Sequence, residues 1–108
     1  MSNGEYIMKI IAVSDLFRWK CEKRSFYIVD LRDISDYQNE HIHNAITYEV
    51  FKTLIDQNKI KKIPVVFYNN NGETPREISL DIKESFILKE GFTGWKKLCD
   101  KMKNKCYT

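Results

Sequence analysis

The residues that first suggest chemistry lie in a polar loop that follows an apolar run in the second half of the chain. Residues 65–68 are apolar, and the loop and the segment after it contain Asn69, Asn70, Asn71, Gly72, Glu73, Thr74 and Arg76. A buried strand that leads through such a loop into a helix can form an anion site, because free backbone N–H groups and the helix dipole favour negative charge. The Arg76 guanidinium could pair with an oxyanion. The loop has no Cys, Ser, His or Lys, so it offers no evident nucleophile.

The segment after this loop fits two secondary structures. Thr74, Pro75 and Glu77 suit an N-cap, the first helical position and a capping box, and they predict a short helix over 75–83. Apolar and polar residues also alternate over 78–82, which indicates a half-buried strand. We predict the helix, because the cap signals are specific. A strand would instead make Asn71-Gly72 a hairpin turn and would remove the anion site.

Hydrophobic periodicity along the rest of the chain predicts strands that alternate with helices. We expect strands over 6–12, 26–32, 45–48, 63–68 and 85–88, and helices over 15–22, 36–39, 49–57 and 92–103. Ser14 and Ser35 are expected to cap the first two helices. Strand–helix alternation with short connections predicts a small α/β domain, with a mainly parallel five-stranded sheet and helices on both faces.

Composition limits the class of protein. The chain has 108 residues, enough for one domain, and its hydrophobic content of 43% fits a globular protein. A net charge of +3 is too small to indicate a nucleic-acid binder, and no apolar run is long enough for a membrane span. Three widely spaced cysteines predict no disulfide framework and a reducing, cytoplasmic environment. Cys99 is expected to be an inward-facing free thiol on the last helix.

Other chemistry-bearing residues lie in the first half of the chain. Asp30 and Arg32 end the second predicted strand, and we expect them to bond to nearby backbone and carboxylate groups. The His41-x-His43 pair supplies only two metal ligands, and no third donor is evident from spacing. We therefore predict no metal site and a structural, hydrogen-bonded role for His41.

Several of these motifs together resemble the signature of the rhodanese-like domain family. They are an apolar strand that ends in Asp30-Leu31-Arg32, then Asp36-Tyr37, His41-Ile42 and Ala45-Ile46. A later segment, 88–95, is similar to the family's glycine turn before a helical Trp. The resemblance covers about residues 10–102. It implies a single three-layer rhodanese-like domain over 1–108, with its core at about 6–104.

The chain departs from that family at the position that matters most for catalysis. The resemblance implies a catalytic cysteine directly after strand 65–68, and Asn69 stands there, or Tyr68 in a register one residue earlier. Arg76 matches the arginine that ends the family's loop. Glu40, Asn44 and Glu90 stand where the family has glycines. We therefore assign no catalytic residue and no cofactor.

Three functions remain open from the sequence. The first is a catalytically inactive binding or regulatory module, with a residual anion-binding loop at 69–76. The second is a sulfurtransferase or small phosphatase that uses a displaced cysteine. The third is a protein-docking module whose contacts are the lysines at 59, 61 and 62 or the basic residues within 18–24. The expected partner is a small anion or a protein, and neither a nucleic acid nor a membrane.

Overall fold

A computed structural model describes residues 8–73 and 84–103. Within these ranges the chain forms β1 Lys9–Ile11, α1 Val13–Cys21, β2 Tyr27–Asp30, α2 Ile34–Asn39, β3 Ile46–Thr47, α3 Tyr48–Asp56, β4 Val65–Tyr68, β5 Ser85–Leu88 and α4 Gly91–Lys101. No helix in these ranges is both long enough and apolar enough to span a membrane. The predicted helix over 75–83, with Thr74 and Arg76, lies outside the described residues.

The five strands form one parallel sheet in the order β1-β5-β4-β2-β3. From β2 the chain moves outward to β3, whereas from β4 it moves to β5 on the other side. The carboxyl ends of β2 and β4 therefore meet where the direction of winding reverses, the usual position of sites in open α/β sheets. Asp30 pairs in register with Tyr68 at this point. The predicted α/β class, with its five-stranded parallel sheet, is confirmed.

Alternating side chains along the strands fill two cores, one on each face of the sheet. On one face, Val66 and Leu88 pack in the same cluster as Leu16 of α1 and Trp95 of α4. On the other face, the core contains five fully or almost fully buried residues from the sheet and α3: Val29, Phe51, Val65, Phe67 and Ile87. Burial of one large apolar side chain contributes about 1.5–3 kcal/mol. These cores fix the strand ends that carry the polar residues.

The start of α1 differs from the sequence prediction. The helix begins at Val13 with Ala12 as N-cap, and Ser14 is exposed within the first turn, so the prediction that Ser14 caps this helix is wrong. Instead, the Val13 N–H donates to Oε1 of Glu90, 3.3 Å away. A Cβ at Gly94 would lie 2.2 Å from the Glu90 Cβ, so the missing side chain at position 94 makes room for Glu90. The contact is long-range, and no local pattern indicates it.

The second helix also begins earlier than predicted. Helix α2 starts at Ile34 with Asp33 as N-cap, so the prediction that Ser35 caps it is wrong. Among the helices that the structure describes, the cap that uses its side chain is Thr47, whose Oγ1 accepts the Val50 N–H at the start of α3. Thr47 is both the last residue of β3 and the N-cap of α3, so no loop connects the two elements.

Replacing Glu90 with alanine is expected to lower the free energy of unfolding by about 1 kcal/mol, because a helix N-terminus loses its acceptor. Ser14→Ala is the matched control and should change that free energy by less than about 0.5 kcal/mol, as an exposed substitution away from any cap does. Urea unfolding followed by circular dichroism measures both. A larger loss for Ser14→Ala than for Glu90→Ala would contradict this description of the helix start.

Candidate functional site

A buried ion pair of Asp30 and Arg32 lies at the carboxyl edge of the sheet. Both side chains are buried, with 0% of the Asp30 and 5% of the Arg32 side chain exposed. The Arg32 Nη2 lies 2.8 Å from Oδ2 of Asp30, and Nε lies 3.1 Å from Oδ1. The Arg32 backbone N–H also donates to Oδ1, over 2.8 Å. This fork-like geometry holds the turn after β2 in one conformation.

Tyr68 connects this ion pair to the neighbouring strand. Its hydroxyl donates to Oδ2 of Asp30 over 2.6 Å and accepts the Ile42 N–H over 3.1 Å. The Arg32 Nη2 donates to the Glu40 carbonyl, and its guanidinium lies 4.2 Å from the centre of the Phe92 ring. Burial lowers the pKa of Arg32, but hydrogen bonding and the charge of Asp30 outweigh it, so the pKa is raised overall. Arg32 therefore stays positively charged and is bound to the Asp30 carboxylate.

The stability of the domain is expected to decrease as the pH rises above 10.0. Burial, followed by the hydrogen bond to Asp30 and its charge, raises the pKa of Tyr68 above its ordinary value. In that range the hydroxyl ionises in the unfolded chain while the folded chain keeps its proton, so the free energy of unfolding falls. Below pH 10.0 the contribution is complete.

Tyr68→Phe is expected to make this alkaline decrease shallower, as measured by urea unfolding on both sides of pH 10.0. An unchanged slope in Tyr68→Phe would contradict the assignment. Tyr37 supplies part of the remaining slope, because burial and the charge of Asp30 raise its pKa as well.

The segment between α2 and β3 is held by Tyr37 and His41. The Tyr37 hydroxyl donates to the Ala45 carbonyl over 2.7 Å, and Nδ1 of His41 lies 2.9 Å from the Tyr37 carbonyl oxygen. The two rings stack with their centroids 4.0 Å apart. Asn44 adopts a φ of 72°, in the left-handed region that a glycine would occupy without strain. These contacts give His41 a hydrogen-bonded position beside the ion pair.

The polar loop begins directly after Tyr68 and folds back on itself. The Gly72 N–H donates to Oδ1 of Asn69 over 2.7 Å, and Nδ2 of Asn69 donates to the Glu73 carbonyl. The Glu73 N–H donates to Oδ1 of Asn71 over 3.2 Å. Two of the backbone N–H groups that the sequence assigned to an anion are therefore already bonded to asparagine side chains. An anion would have to displace those amide oxygens.

The loop is also tied to the start of α4. The Phe92 N–H donates to the Asn69 carbonyl over 2.8 Å, and the Thr93 N–H donates to the Asn70 carbonyl over 3.2 Å. Gly91 makes this approach feasible: its φ is 64°, and a Cβ there would lie 2.5 Å from the Asn70 carbonyl carbon. The first two N–H groups after Gly91 therefore bind loop carbonyls.

A surface pocket of about 410 Å³ lies beside this junction. Its lining carries both charge signs and one aromatic ring: Arg32, Glu40, Phe92, Thr93, Lys96, Lys97 and Asp100. The Lys96 Nζ lies 2.8 Å from Oε1 of Glu40, so an ion pair crosses part of the pocket. The loop and the pocket are neighbours, because Phe92 and Thr93 belong to both.

The described cysteines lie away from the loop. Cys21 is free and exposed at the last residue of α1, whose end leads into the amino end of β2. Asn69 follows the carboxyl end of β4, and β2 and β4 are parallel, so Cys21 and Asn69 lie at opposite edges of the sheet. Cys99, on α4, is fully buried in the hydrophobic core, as predicted. It is disulfide-bonded, so the prediction of a free thiol there is wrong.

The structure thus brings most of the candidate residues to one edge of the sheet. Asp30, Arg32 and His41 surround the end of β2, and the described part of the candidate loop, 69–73, follows β4 beside it. Thr74 and Arg76 lie outside the described residues. Sequence reasoning missed Tyr68 as the bridge to Asp30 and Lys96 as the partner of Glu40. Strand alternation could have placed Tyr68 on the same face as Asp30, once the two strands were paired.

Comparison with known sequences agrees with the motifs. A family model described as the rhodanese-like domain matches residues 13–98. The thiosulfate sulfurtransferase GlpE of Coxiella burnetii is 32% identical over 91 residues, which cover 78% of this chain and 85% of that protein.

Comparison with solved structures agrees with the fold. A protein from Bacillus halodurans superposes with a TM-score of 0.67 at 18% identity, covering 83% of this chain and 72% of its own. The As-Sb reductase from Leishmania major superposes with a TM-score of 0.66 at 13% identity, covering 94% and 85%. A rhodanese-like domain from Anabaena gives a TM-score of 0.60 at 20% identity, covering 85% and 76%. At these identities the likeness concerns the fold alone.

Proposed function

Because this chain belongs to the rhodanese-like domain family, we propose that it is a binding or regulatory module without sulfurtransferase activity. The supporting observation is the position of Asn69, the first residue after β4, where the family resemblance implies the catalytic cysteine. Sulfur transfer in such a loop needs a thiolate, and a side-chain amide does not ionise and is a poor nucleophile. The Asn69 amide is further engaged with Gly72 and Glu73.

A displaced cysteine is the alternative that would restore catalysis. Cys21 is the free thiol among residues 8–73 and 84–103, and it lies at the edge of the sheet opposite the loop. A sulfur atom there is separated from the loop N–H groups by the length of strands β2 and β4. The proposal therefore excludes Cys21 as a nucleophile that the loop could activate.

The turnover of thiosulfate and cyanide to thiocyanate and sulfite tests this proposal. We expect the purified wild-type protein to give no turnover above buffer. Cys21→Ser should leave that result unchanged. Turnover in the wild type that disappears on replacing one cysteine would contradict the proposal and identify the displaced nucleophile.

The ligand that we propose for the module is a small oxyanion held at the loop, with the adjacent pocket as the remainder of the site. Because Oδ1 of Asn69 occupies the Gly72 N–H, Asn69→Ala should free that donor and tighten the binding of thiosulfate, sulfate or phosphate. Asn70→Ala is the control, since its backbone carbonyl still accepts the Thr93 N–H. Calorimetry that finds no heat with any of the three anions, in either variant, would remove the anion from the proposal.

Protein docking is the second candidate, and exposed charge supports it. Lys59, Lys61 and Lys62 are exposed in the connection that leads into β4, at the edge of the sheet away from the loop. A partner with an acidic surface would be attracted there. Charge reversal at all three lysines should remove such partners from a pull-down, and an unchanged partner set would count against docking. A nucleic acid or a membrane is not the partner we propose.

A further inference from the structure

We propose that Asn71 is a site of spontaneous deamidation and that Asn69 holds it unreactive in the folded domain. In this reaction the backbone nitrogen of Gly72 attacks Cγ of Asn71, and Nδ2 leaves as ammonia with the proton of that nitrogen. Water then opens the cyclic imide at either carbonyl, to give aspartate or isoaspartate. The balance is one water consumed and one ammonia released, and no other reactant is required. The inference does not depend on whether the domain is catalytic.

The fold requires the glycine that follows Asn71, and asparagine before glycine is the pair most prone to this reaction. Gly72 has a φ of +87°, and a Cβ there would lie 1.7 Å from the Lys89 carbonyl oxygen. A side chain at position 72 is therefore excluded by both the backbone conformation and the neighbouring strand end. With no side chain after it, the Gly72 nitrogen is also the least hindered nucleophile for the Asn71 amide. Asn71 is exposed, so water can reach it.

Both reacting groups are held apart by hydrogen bonds in the loop. The Gly72 N–H, which must lose its proton to attack, donates to Oδ1 of Asn69 over 2.7 Å. The Asn71 side chain turns forward instead: its Oδ1 accepts the Glu73 N–H and its Nδ2 lies 3.2 Å from Oε1 of Glu73. Attack requires at least the first of these bonds to break and the Asn71 side chain to rotate back over its own peptide.

Deamidation would change the candidate loop in a definite way. It replaces a neutral amide with a carboxylate, and the isoaspartate product also adds one carbon to the backbone between positions 71 and 72. The new charge would lie two residues from Asn69, in the loop that the proposed function assigns to an anion, and would repel that anion. Asn69 therefore acts as a positioning residue that preserves the loop.

The test is the rate at which Asn71 deamidates, followed by peptide mapping with isoaspartate detection in mildly alkaline buffer. Asn69→Ala should raise the first-order rate by about fivefold or more, the factor that corresponds to the loss of one hydrogen bond of ordinary strength. Asn70→Ala changes an asparagine in the same loop but keeps the hydrogen bonds that hold the Gly72 N–H and the Asn71 side chain, and it should react at the wild-type rate. Asn71→Ser confirms the assignment of the signal.

A second comparison keeps the test independent of how well Asn69→Ala folds. The folded wild type should react at least about fivefold more slowly than the same chain in denaturant, where the bond from Gly72 is absent. Equal rates in folded and unfolded wild type would overturn the proposal. So would an acceleration in Asn70→Ala as large as that in Asn69→Ala. Thiosulfate turnover by the wild type would overturn the proposed function and leave this inference unaffected.

Discussion

Replacing Asp30 with alanine is expected to lower the free energy of unfolding by about 3–5 kcal/mol, the range for breaking a buried ion pair by removing one partner. The Asp30 carboxylate accepts hydrogen bonds from the Arg32 guanidinium, the Arg32 backbone N–H and the Tyr68 hydroxyl. Its side chain is fully buried. With alanine at position 30, the Arg32 side chain, which is only 5% exposed, loses its carboxylate partner. Urea unfolding at neutral pH measures the loss.

Asp33→Ala is the matched control for this prediction. Asp33 lies three residues further along, is exposed, and caps α2 without a side-chain hydrogen bond. Its removal should change the free energy of unfolding by less than about 0.5 kcal/mol. A loss for Asp30→Ala that is no larger than for Asp33→Ala would mean that the network at the end of β2 contributes little to the fold.

Introducing cysteine at position 69 is expected to create sulfurtransferase activity that the wild type lacks. The substitution places a thiol at the end of β4 and removes the amide oxygen that binds the Gly72 N–H. That N–H can then donate to the thiolate. A hydrogen bond to a charged group contributes about 1.5–3 kcal/mol and lowers the pKa of the thiol. We expect thiocyanate formation at least about tenfold above the wild-type background. A tenfold change in rate corresponds to about 1.4 kcal/mol of activation free energy, which one such hydrogen bond can supply.

Asn70→Cys is the control for the gain of activity, because it adds a thiol to the same loop one residue away. Its carbonyl is held by the Thr93 N–H, so the backbone at position 70 should keep its place. Activity in Asn69→Cys alone would show that the position after β4 retains the geometry for sulfur transfer. Equal activity in both variants would show only that an exposed thiol suffices.

Most of the sheet could be predicted from the sequence because its strands are locally distinctive. Strand β4 is a continuous apolar run, and β5 is apolar after Ser85. Each is followed by a polar residue, and the sequence predicts both strands to within two residues. The starts of helices α1 and α2 are predicted less accurately from the sequence. Ser14 and Ser35 are favourable capping residues, but Glu90 supplies the acceptor at α1 from 77 positions away. A contact of that range depends on the completed fold and not on local sequence.

The candidate site shows the same division. The sequence alone predicts the charges of Asp30 and Arg32 at a strand end, but the buried hydrogen bond between Tyr68 and Asp30 depends on the register of β2 against β4. From sequence alone, the asparagine-rich loop is expected to offer free N–H donors. Asparagine side chains commonly bond to backbone groups two or three residues ahead, and Asn69 and Asn71 do so here. That local tendency is the sequence signal that could have predicted hydrogen bonds within the loop.

The measurement that tests the central claim most directly is the intact mass of the wild-type protein after incubation with thiosulfate. A rhodanese-type enzyme would gain the mass of one sulfur atom as a cysteine persulfide. Because Asn69 occupies the position of the nucleophile and Cys21 lies at the opposite edge of the sheet, we predict no such adduct on the wild type and a clear one on Asn69→Cys. A stoichiometric persulfide on the wild-type chain would contradict the account.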